Sequence, residues 1–88
     1  MTVRVRFLAT FKALFGGSSR EMDLPERTTV GALLDALCDT PERRREVLSA
    51  GGVLKPQVVV MRNGAPAGLA DPLAAGDTVA VFPFLTGG

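Results

Sequence analysis

The stretch that decides the fold is the end of the chain, which reads DPLAAGDTVAVFPFLTGG from Asp71 to Gly88. A turn containing Gly76 comes before an apolar strand over Thr78–Phe82, and we expect Gly76 to take a positive φ. Pro83 has no backbone N–H, so it fits only at a sheet edge or at the end of a strand. The strand therefore leads to two glycines and a terminal carboxylate. Because flexible tails are also rich in glycine, the meaning of that pair depends on the rest of the chain.

Length and composition indicate one globular domain. The chain has 88 residues, of which 47% are hydrophobic and 22% charged. Ten basic and nine acidic residues leave a net charge of +1, which argues against a protein dedicated to nucleic acid or anionic membranes. A single cysteine and no histidine exclude an internal disulfide and a Cys/His zinc site. No signal peptide or membrane span is visible, so we expect a cytosolic protein.

The N-terminal segment has the period of two that is typical of a half-buried strand. Apolar residues alternate with Arg4 and Arg6 from Val3 to Phe11. The segment Gly16–Ser19 is a loop signal, and the alternation returns over Arg20–Leu24. We therefore expect an opening β-hairpin with a long loop.

Two helices are predicted next. Thr28 or Thr29 offers an N-cap for an amphipathic helix of about ten residues. The apolar side of this helix is formed by Val30, Leu33, Leu34, Leu37 and Cys38. Thr40-Pro41 begins a second, short helix, which we expect Gly51-Gly52 to end.

The second half of the chain returns to strands. Gln57–Met61 is rich in β-branched residues and apolar on both faces, which predicts an interior strand. Asn63-Gly64 predicts a tight turn, and the loop over 65–72 has room for a very short strand. The order of elements predicts an α+β domain with a mixed sheet of four to five strands, one main helix and one short helix.

This order of elements resembles the β-grasp, or ubiquitin-like, fold. The Leu73-x-x-Gly76-Asp77 turn, the strand ending Phe82-Pro83 and the terminal Gly87-Gly88 resemble the sulfur-carrier branch of that fold, and most of all the small subunit of molybdopterin synthase. The opening Val5–Ala9 and the helix start Thr29-Val30 are also similar to that family. The thiamin-pathway carrier is similar but usually shorter and without the Phe-Pro. Phe84 departs from the pattern, because many relatives have a second proline there.

The resemblance implies a single sulfur-carrier domain over residues 1–88 with a flexible tail over 84–88. It implies that a ubiquitin-activating-type adenylyltransferase uses ATP to adenylate Gly88, which is then converted to a thiocarboxylate. Gly87 would let the tail thread a narrow channel. The implied sulfur acceptor is a pterin precursor on the large synthase subunit, in a heterotetramer of two carriers and two large subunits. The chain would bind no cofactor or metal itself, and would be a protein co-substrate and not an enzyme.

Three alternatives share these features. The same tail suits a sulfur carrier for thiamin, cysteine or transfer-RNA thiolation. It also suits a ubiquitin-like modifier that is joined to lysines, although neither Lys12 nor Lys55 is marked as a conjugation site. A binding module with an inert tail is the third alternative.

Ordering the four residues from Leu85 to Gly88 would cost about 4–8 kcal/mol at 1–2 kcal/mol per residue, so we expect the folded domain to bind the partner as well. The residues predicted to contact the partner are Phe82, Phe84, Leu85 and Thr86. For Phe82, a place in the core is an equal alternative. Past Pro83, exposed apolar residues more often mark a contact surface.

Two other features have open interpretations. A basic stripe of Arg4, Arg6 and Arg62 on the outer sheet face is either a docking surface for an acidic partner or an ordinary solvated face. Cys38 lies at the rim of the apolar side of its helix, which favours a small buried hydrophobic residue over a sulfur-relay thiol.

Overall fold

The computed structural model of the chain describes residues 1–84, and Leu85, Thr86, Gly87 and Gly88 lie outside the described residues. The elements are β1 (Thr2–Phe7), α1 (Phe11–Phe15), β2 (Ser19–Asp23), α2 (Val30–Leu37), α3 (Pro41–Val47), β3 (Val58–Arg62), β4 (Ala65–Pro66) and β5 (Thr78–Pro83). The strands form one mixed sheet in the order β2-β1-β5-β3-β4. This arrangement confirms the predicted α+β class.

The middle of the sheet is formed by the first and the last long strand of the chain. β1 pairs antiparallel with β2 and parallel with β5, where Arg4 lies opposite Thr78 and Phe7 opposite Val81. β5 pairs antiparallel with β3, where Val59 lies opposite Phe82. The C-terminal strand is therefore a central strand, with neighbours on both sides.

One face of this sheet carries the core. In β1, Val3, Val5 and Phe7 are fully buried while Arg4 and Arg6 are exposed, as the alternation predicts. The buried residues of β5, β3 and the helices join them in one cluster, which includes Val79, Val81, Val58, Val60, Leu33, Leu34 and Leu37. Burying each such side chain contributes about 1.5–3 kcal/mol. The helices therefore cover one face of the sheet.

The segment after β1 differs from the prediction. Where the alternation predicts that the strand continues to Phe11, the strand ends at Phe7 and Phe11–Phe15 is a short helix. Ala9 takes a left-handed backbone conformation (φ 54°), which turns the chain out of the sheet. The Phe15 ring then stacks on Phe7 with 4.4 Å between the ring centroids. Burial of Phe11 and Phe15 against the core is thus achieved by helical spacing and not by strand alternation.

Both predicted helix starts are confirmed. The Thr29 hydroxyl accepts a hydrogen bond from the Ala32 N–H at 3.1 Å at the start of α2. The Thr40 hydroxyl accepts one from the Arg43 N–H at 3.1 Å, and Pro41 is the first residue of α3. Each threonine satisfies one of the free N–H groups of the first turn.

The helix ends are less well predicted. α2 has eight residues where about ten were expected, and Cys38 is its C-cap. The prediction that Gly51-Gly52 ends α3 is wrong, because the helix ends at Val47. Leu48 is already extended and forms a β-bridge with Leu54. The two glycines, with φ of 93° and 79°, form the turn between them.

The remaining turns agree with the sequence. Asn63 and Gly64 both have positive φ, as a tight turn between β3 and β4 requires. Gly76 has a φ of 85°, as expected. Pro83 is the last residue of β5, at the strand end that its missing N–H requires. Within residues 1–84, each helix is too short or too polar to cross a membrane.

Candidate functional site

The C-terminal strand β5 is the central strand of the sheet, so the chain leaves the sheet between the ends of its neighbours. β5 ends at Pro83, and the Phe84 N–H still donates a hydrogen bond to the Gln57 carbonyl. Because β1 and β5 are parallel, the end of β1 at Phe7 lies beside the end of β5. Residues just after β1 are therefore the neighbours of the point from which residues 85–88 continue.

Phe82 belongs to the face of the sheet that is opposite to the core. Val79 and Val81 are fully buried against the helices, and successive side chains of a strand point to opposite faces. Phe82 is half-buried and lies opposite Val59, which is half-buried on the same face. Of the two interpretations of Phe82, the structure favours a place on the outer face.

The outer face carries a row of apolar side chains, which we call the apolar strip. Phe84, just after the end of β5, is 59% exposed, and Leu8, just after the end of the neighbouring β1, is 36% exposed. Ala80, opposite Met61, continues the row along β5. The apolar strip consists of Leu8, Val59, Met61, Ala80, Phe82 and Phe84. The other four members of the strip are half-buried, and a row of partly exposed apolar side chains of this kind is typical of a protein contact site.

A basic cleft borders the apolar strip on the side of β1. Its volume is about 380 Å³. It is lined by Arg4, Arg6, Phe7, Leu8, Lys12, Ser18, Ser19 and Thr78. Arg4 Nη2 donates to Glu21 Oε1 at 3.1 Å. Within residues 1–84, Arg6 and Lys12 take part in no ion pair.

The third member of the predicted basic stripe lies elsewhere, so that part of the prediction is wrong. Arg62 is the register partner of the fully buried Val79, which assigns it to the opposite face from Arg4 and Arg6. Its Nε donates to Asp77 Oδ2 at 2.8 Å. Arg62 therefore has a structural contact and is not part of the outer face.

Asp77 fixes the start of β5. Its carboxylate accepts hydrogen bonds from Asn63 Nδ2 at 3.0 Å, from Arg62 Nε at 2.8 Å and from the Ala74 N–H at 2.8 Å. Together these hydrogen bonds, led by that of Asn63, lower the pKa of the Asp77 carboxyl to about 2. The turn before β5 is thereby joined to the turn after β3, which fixes the register of the strand that ends at Phe82-Pro83.

Cys38 is buried in the core, as a small hydrophobic residue would be. Burial raises the pKa of its thiol, so the reactive thiolate is disfavoured. Across the part of the chain that the structure describes, no group of three His, Cys, Asp or Glu side chains comes together as metal ligands.

The predicted site residues thus divide into two groups. The structure places Phe82 and Phe84 together on the outer face, at the end of β5. Leu85, Thr86, Gly87 and Gly88 are outside the described residues, and their roles remain predictions. The arrangement places an exposed apolar side chain, Phe84, after the half-buried Phe82 at the end of β5.

Several residues of the outer face and the basic cleft were not predicted from the sequence. The prediction that Gln57–Met61 forms an interior strand is confirmed, because β3 lies between β5 and β4, but it did not mark Val59 and Met61 as outer-face residues. In a sheet whose helices lie on one side, a run that is apolar on both faces marks an exposed apolar face. Leu8 breaks the polar alternation of β1 and was a second signal. Lys12 joins the cleft only because α1 turns back beside β1, which the alternation did not predict.

Comparison with known proteins agrees with this architecture. The ThiS family matches residues 5–88. Small archaeal modifier protein 1 of Haloferax volcanii is 34% identical over 84 residues, which are 94% of this chain and 97% of the relative. Its crystal structure superimposes with a TM-score of 0.89 at 31% identity over the whole of both chains.

Two further relatives broaden the comparison. Small archaeal modifier protein 3 of the same organism is 35% identical over 92 residues, covering all of both chains. A Pyrococcus furiosus structure described as molybdopterin converting factor, subunit 1, has a TM-score of 0.79 at 29% identity and covers 97% of this chain and 99% of its own.

The fold is therefore the ubiquitin-like β-grasp that the sequence predicted. The chain belongs to the ThiS family of ubiquitin-like sulfur carriers. Its relatives are small carrier and modifier proteins and not catalytic enzymes, and this chain is of the same kind.

Proposed function

We propose that the chain carries sulfur as a thiocarboxylate on Gly88 and donates it in molybdopterin biosynthesis, as the small subunit of molybdopterin synthase. The single observation that best supports this is the apolar strip, which continues through Phe82 and Phe84 to the start of the tail. A tail with a reactive end has to be held by the body of its protein, and the apolar strip offers the anchor beside it.

The chemistry starts from an inert group. The Gly88 carboxylate, with an ordinary pKa of about 3.5, is ionised at neutral pH and repels nucleophiles. Attack of this carboxylate on the α-phosphorus of ATP releases pyrophosphate and gives an acyl-adenylate. A sulfide equivalent then adds to the carbonyl carbon, AMP leaves, and a thiocarboxylate remains. The activating partner supplies ATP and its binding site, and the carrier supplies only the carboxylate and its docking surface.

Two glycines suit this role because neither has a side chain. Fully extended, the four residues from Leu85 to Gly88 span at most about 13–14 Å. The carboxylate can therefore enter a partner's active site only if the body of the carrier docks close to that site. Docking through Phe82 and Phe84 satisfies this limit, because Phe84 is the residue from which the span is measured.

The pathway is proposed from the kind of relatives the chain has. The Pyrococcus furiosus relative is described as subunit 1 of a molybdopterin converting factor. By analogy, we propose that this chain works in the cytosol with a large subunit that holds the pterin precursor, in a heterotetramer of two carriers and two large subunits.

A second candidate function is that of a protein modifier. Two relatives are named small archaeal modifier proteins, and both are more than 30% identical to this chain. The same adenylated Gly88 would then be attacked by a lysine amine to give an isopeptide bond, instead of by sulfur.

One experiment separates the two candidates. The carrier is loaded with an activating enzyme, ATP and a sulfur donor, and is then offered to a molybdopterin synthase large subunit with pterin precursor. Formation of dithiolene-bearing pterin, with Gly88 returned to a carboxylate, supports the first candidate. Absence of that product, together with a ladder of conjugates on denaturing gels of cell extract, contradicts it and favours the second.

A further inference from the structure

We infer that the basic cleft at the end of β1 is a docking site for a carboxylate-bearing segment of the enzyme that adenylates Gly88. This inference rests on the proposed function, because it names the chemistry of the partner surface that meets the carrier. The residues that carry it are Arg6 and Lys12, with the hydroxyls of Ser18, Ser19 and Thr78 around them.

The first argument is the position of the cleft. Arg6 lies opposite Ala80 in the parallel β1–β5 pair, two residues before Phe82. Lys12 follows on α1, directly after the end of β1. The cleft and the apolar strip share Leu8, so one partner surface can cover both. A segment that binds here lies beside the start of the tail.

The second argument is charge. The lining contains three cationic side chains and no carboxylate. Arg4 is already paired with Glu21, whereas Arg6 and Lys12 have no ionic partner within residues 1–84. The whole chain has a net charge of only +1, so this concentration of positive charge is local and not a consequence of composition. A surface of this kind selects an acidic partner and speeds its encounter.

The third argument concerns whether the cleft contacts the partner protein or the phosphates of ATP. Arg6 lies opposite Ala80, four residues before Phe84, and the tail begins only after Phe84. An extended tail carries the Gly88 carboxylate up to about 13–14 Å beyond Phe84. If the partner holds the tail extended, the Gly88 carboxylate lies away from the cleft, and the cleft then contacts the partner protein and not the phosphates of ATP.

The matched variants reverse the same number of charges in two different places, and the one on α3 also loses the surface ion pair of Arg44 with Asp35. R6E/K12E reverses two charges in the cleft, while R44E/R45E reverses two on α3, which packs on the core side of the sheet. R6Q/K12Q removes the charges without reversal. All four substituted residues, Arg6, Lys12, Arg44 and Arg45, are exposed, so we expect all of these variants to fold, and thermal unfolding checks this.

The measurement is the initial rate of adenylation by the activating enzyme, followed by pyrophosphate release, at 0.05 M and 0.5 M salt. We expect R6E/K12E to lose about tenfold or more in kcat/KM at low salt through KM, with kcat unchanged. R6Q/K12Q loses less, and R44E/R45E matches the wild type. The difference shrinks at 0.5 M salt, because screening shortens the range of the charges to a few ångström.

Each other outcome overturns the inference. Equal kcat/KM for R6E/K12E and R44E/R45E, with the wild type adenylated, shows that the cleft is not used while the proposed function stands. A loss that appears in kcat and does not depend on salt points to a disturbed tail. A loss confined to binding of the large subunit makes that protein the occupant instead. Failure of the wild type to be adenylated by a competent enzyme contradicts the proposed function, and the inference with it.

Discussion

Phe7 and Val81 are register partners in the parallel β1–β5 pair, so the C-terminal ends of the first and last strands lie side by side in the sheet. This relationship brings together features that are far apart in sequence. The Leu8 N–H, just after β1, donates a hydrogen bond to the Val81 carbonyl near the end of β5, and Lys12 on α1 lines a cleft together with Leu8. The proposed docking surface therefore depends on the order of the strands in the sheet.

We predict that Phe84→Ala weakens binding of the activating enzyme about tenfold, which is about 1.4 kcal/mol. The Phe84 side chain is 59% exposed, so its removal leaves the free energy of unfolding nearly unchanged. Val53→Ala is the matched control, because Val53 is 61% exposed and lies in the turn after α3. Isothermal titration calorimetry measures the affinity of each variant for the activating enzyme. Equal affinities for the two variants would show that the apolar strip is not the docking surface.

Asp77 provides a prediction about pH. Its pKa is lowered to about 2 in the folded chain, so the unfolded chain binds the proton first as pH falls. The stability contributed by Asp77 is present above about pH 4 and is lost as pH falls through about 2. Asp77→Asn should cost about 2 kcal/mol at pH 7, because the charged acceptor of three hydrogen bonds is lost. This cost should shrink at low pH.

Urea unfolding at pH 7, 4 and 2.5 measures the effect of Asp77→Asn. Asp35→Asn is the control, since its 69% exposed carboxylate forms a surface ion pair with Arg44. Such a pair is worth about 0–1 kcal/mol. A cost of Asp77→Asn that stays constant between pH 7 and pH 2.5 would contradict the assigned role of the carboxylate.

The short helix α1 provides a prediction about the core. Phe15 is buried, stacks on Phe7 and meets Phe11 edge-on at 5.9 Å. Phe15→Ala should lower the free energy of unfolding by about 3–5 kcal/mol. Lys12→Ala, on the exposed side of the same helix, should change it by less than about 0.5 kcal/mol. If chemical denaturation gave similar values for both variants, α1 would not be part of the core.

Much of the fold follows from local sequence signals. The caps Thr29 and Thr40 and the positive φ of Gly76 are set by interactions within a few residues, and all three were predicted. α1 was not predicted, because a helix of five residues is too short to show its period against the continuing alternation up to Phe11. The available signals were the loss of alternation over Lys12–Phe15 and the spacing of four between Phe11 and Phe15.

The site was predicted less completely than the fold. Phe82 and Phe84 could be proposed because they precede the tail directly. The rest of the outer face depends on which strands are neighbours, and Arg62 shows the difficulty. Shifting the register of a strand by one residue moves each of its side chains to the other face of the sheet. The ionic partner of Arg62 is Asp77, which belongs to a different turn. Such placements follow from the register of the sheet and not from local pattern.

The most direct test of the account is the intact mass of the chain after incubation with a competent activating enzyme, ATP and a sulfur donor. We predict that the wild type exchanges one oxygen for sulfur at Gly88. A variant with one alanine added after Gly88 should gain no sulfur and unfold at the same temperature as the wild type. A wild-type mass that does not change, while a known carrier is loaded in the same reaction, would contradict the central claim, as would equal loading of the extended chain.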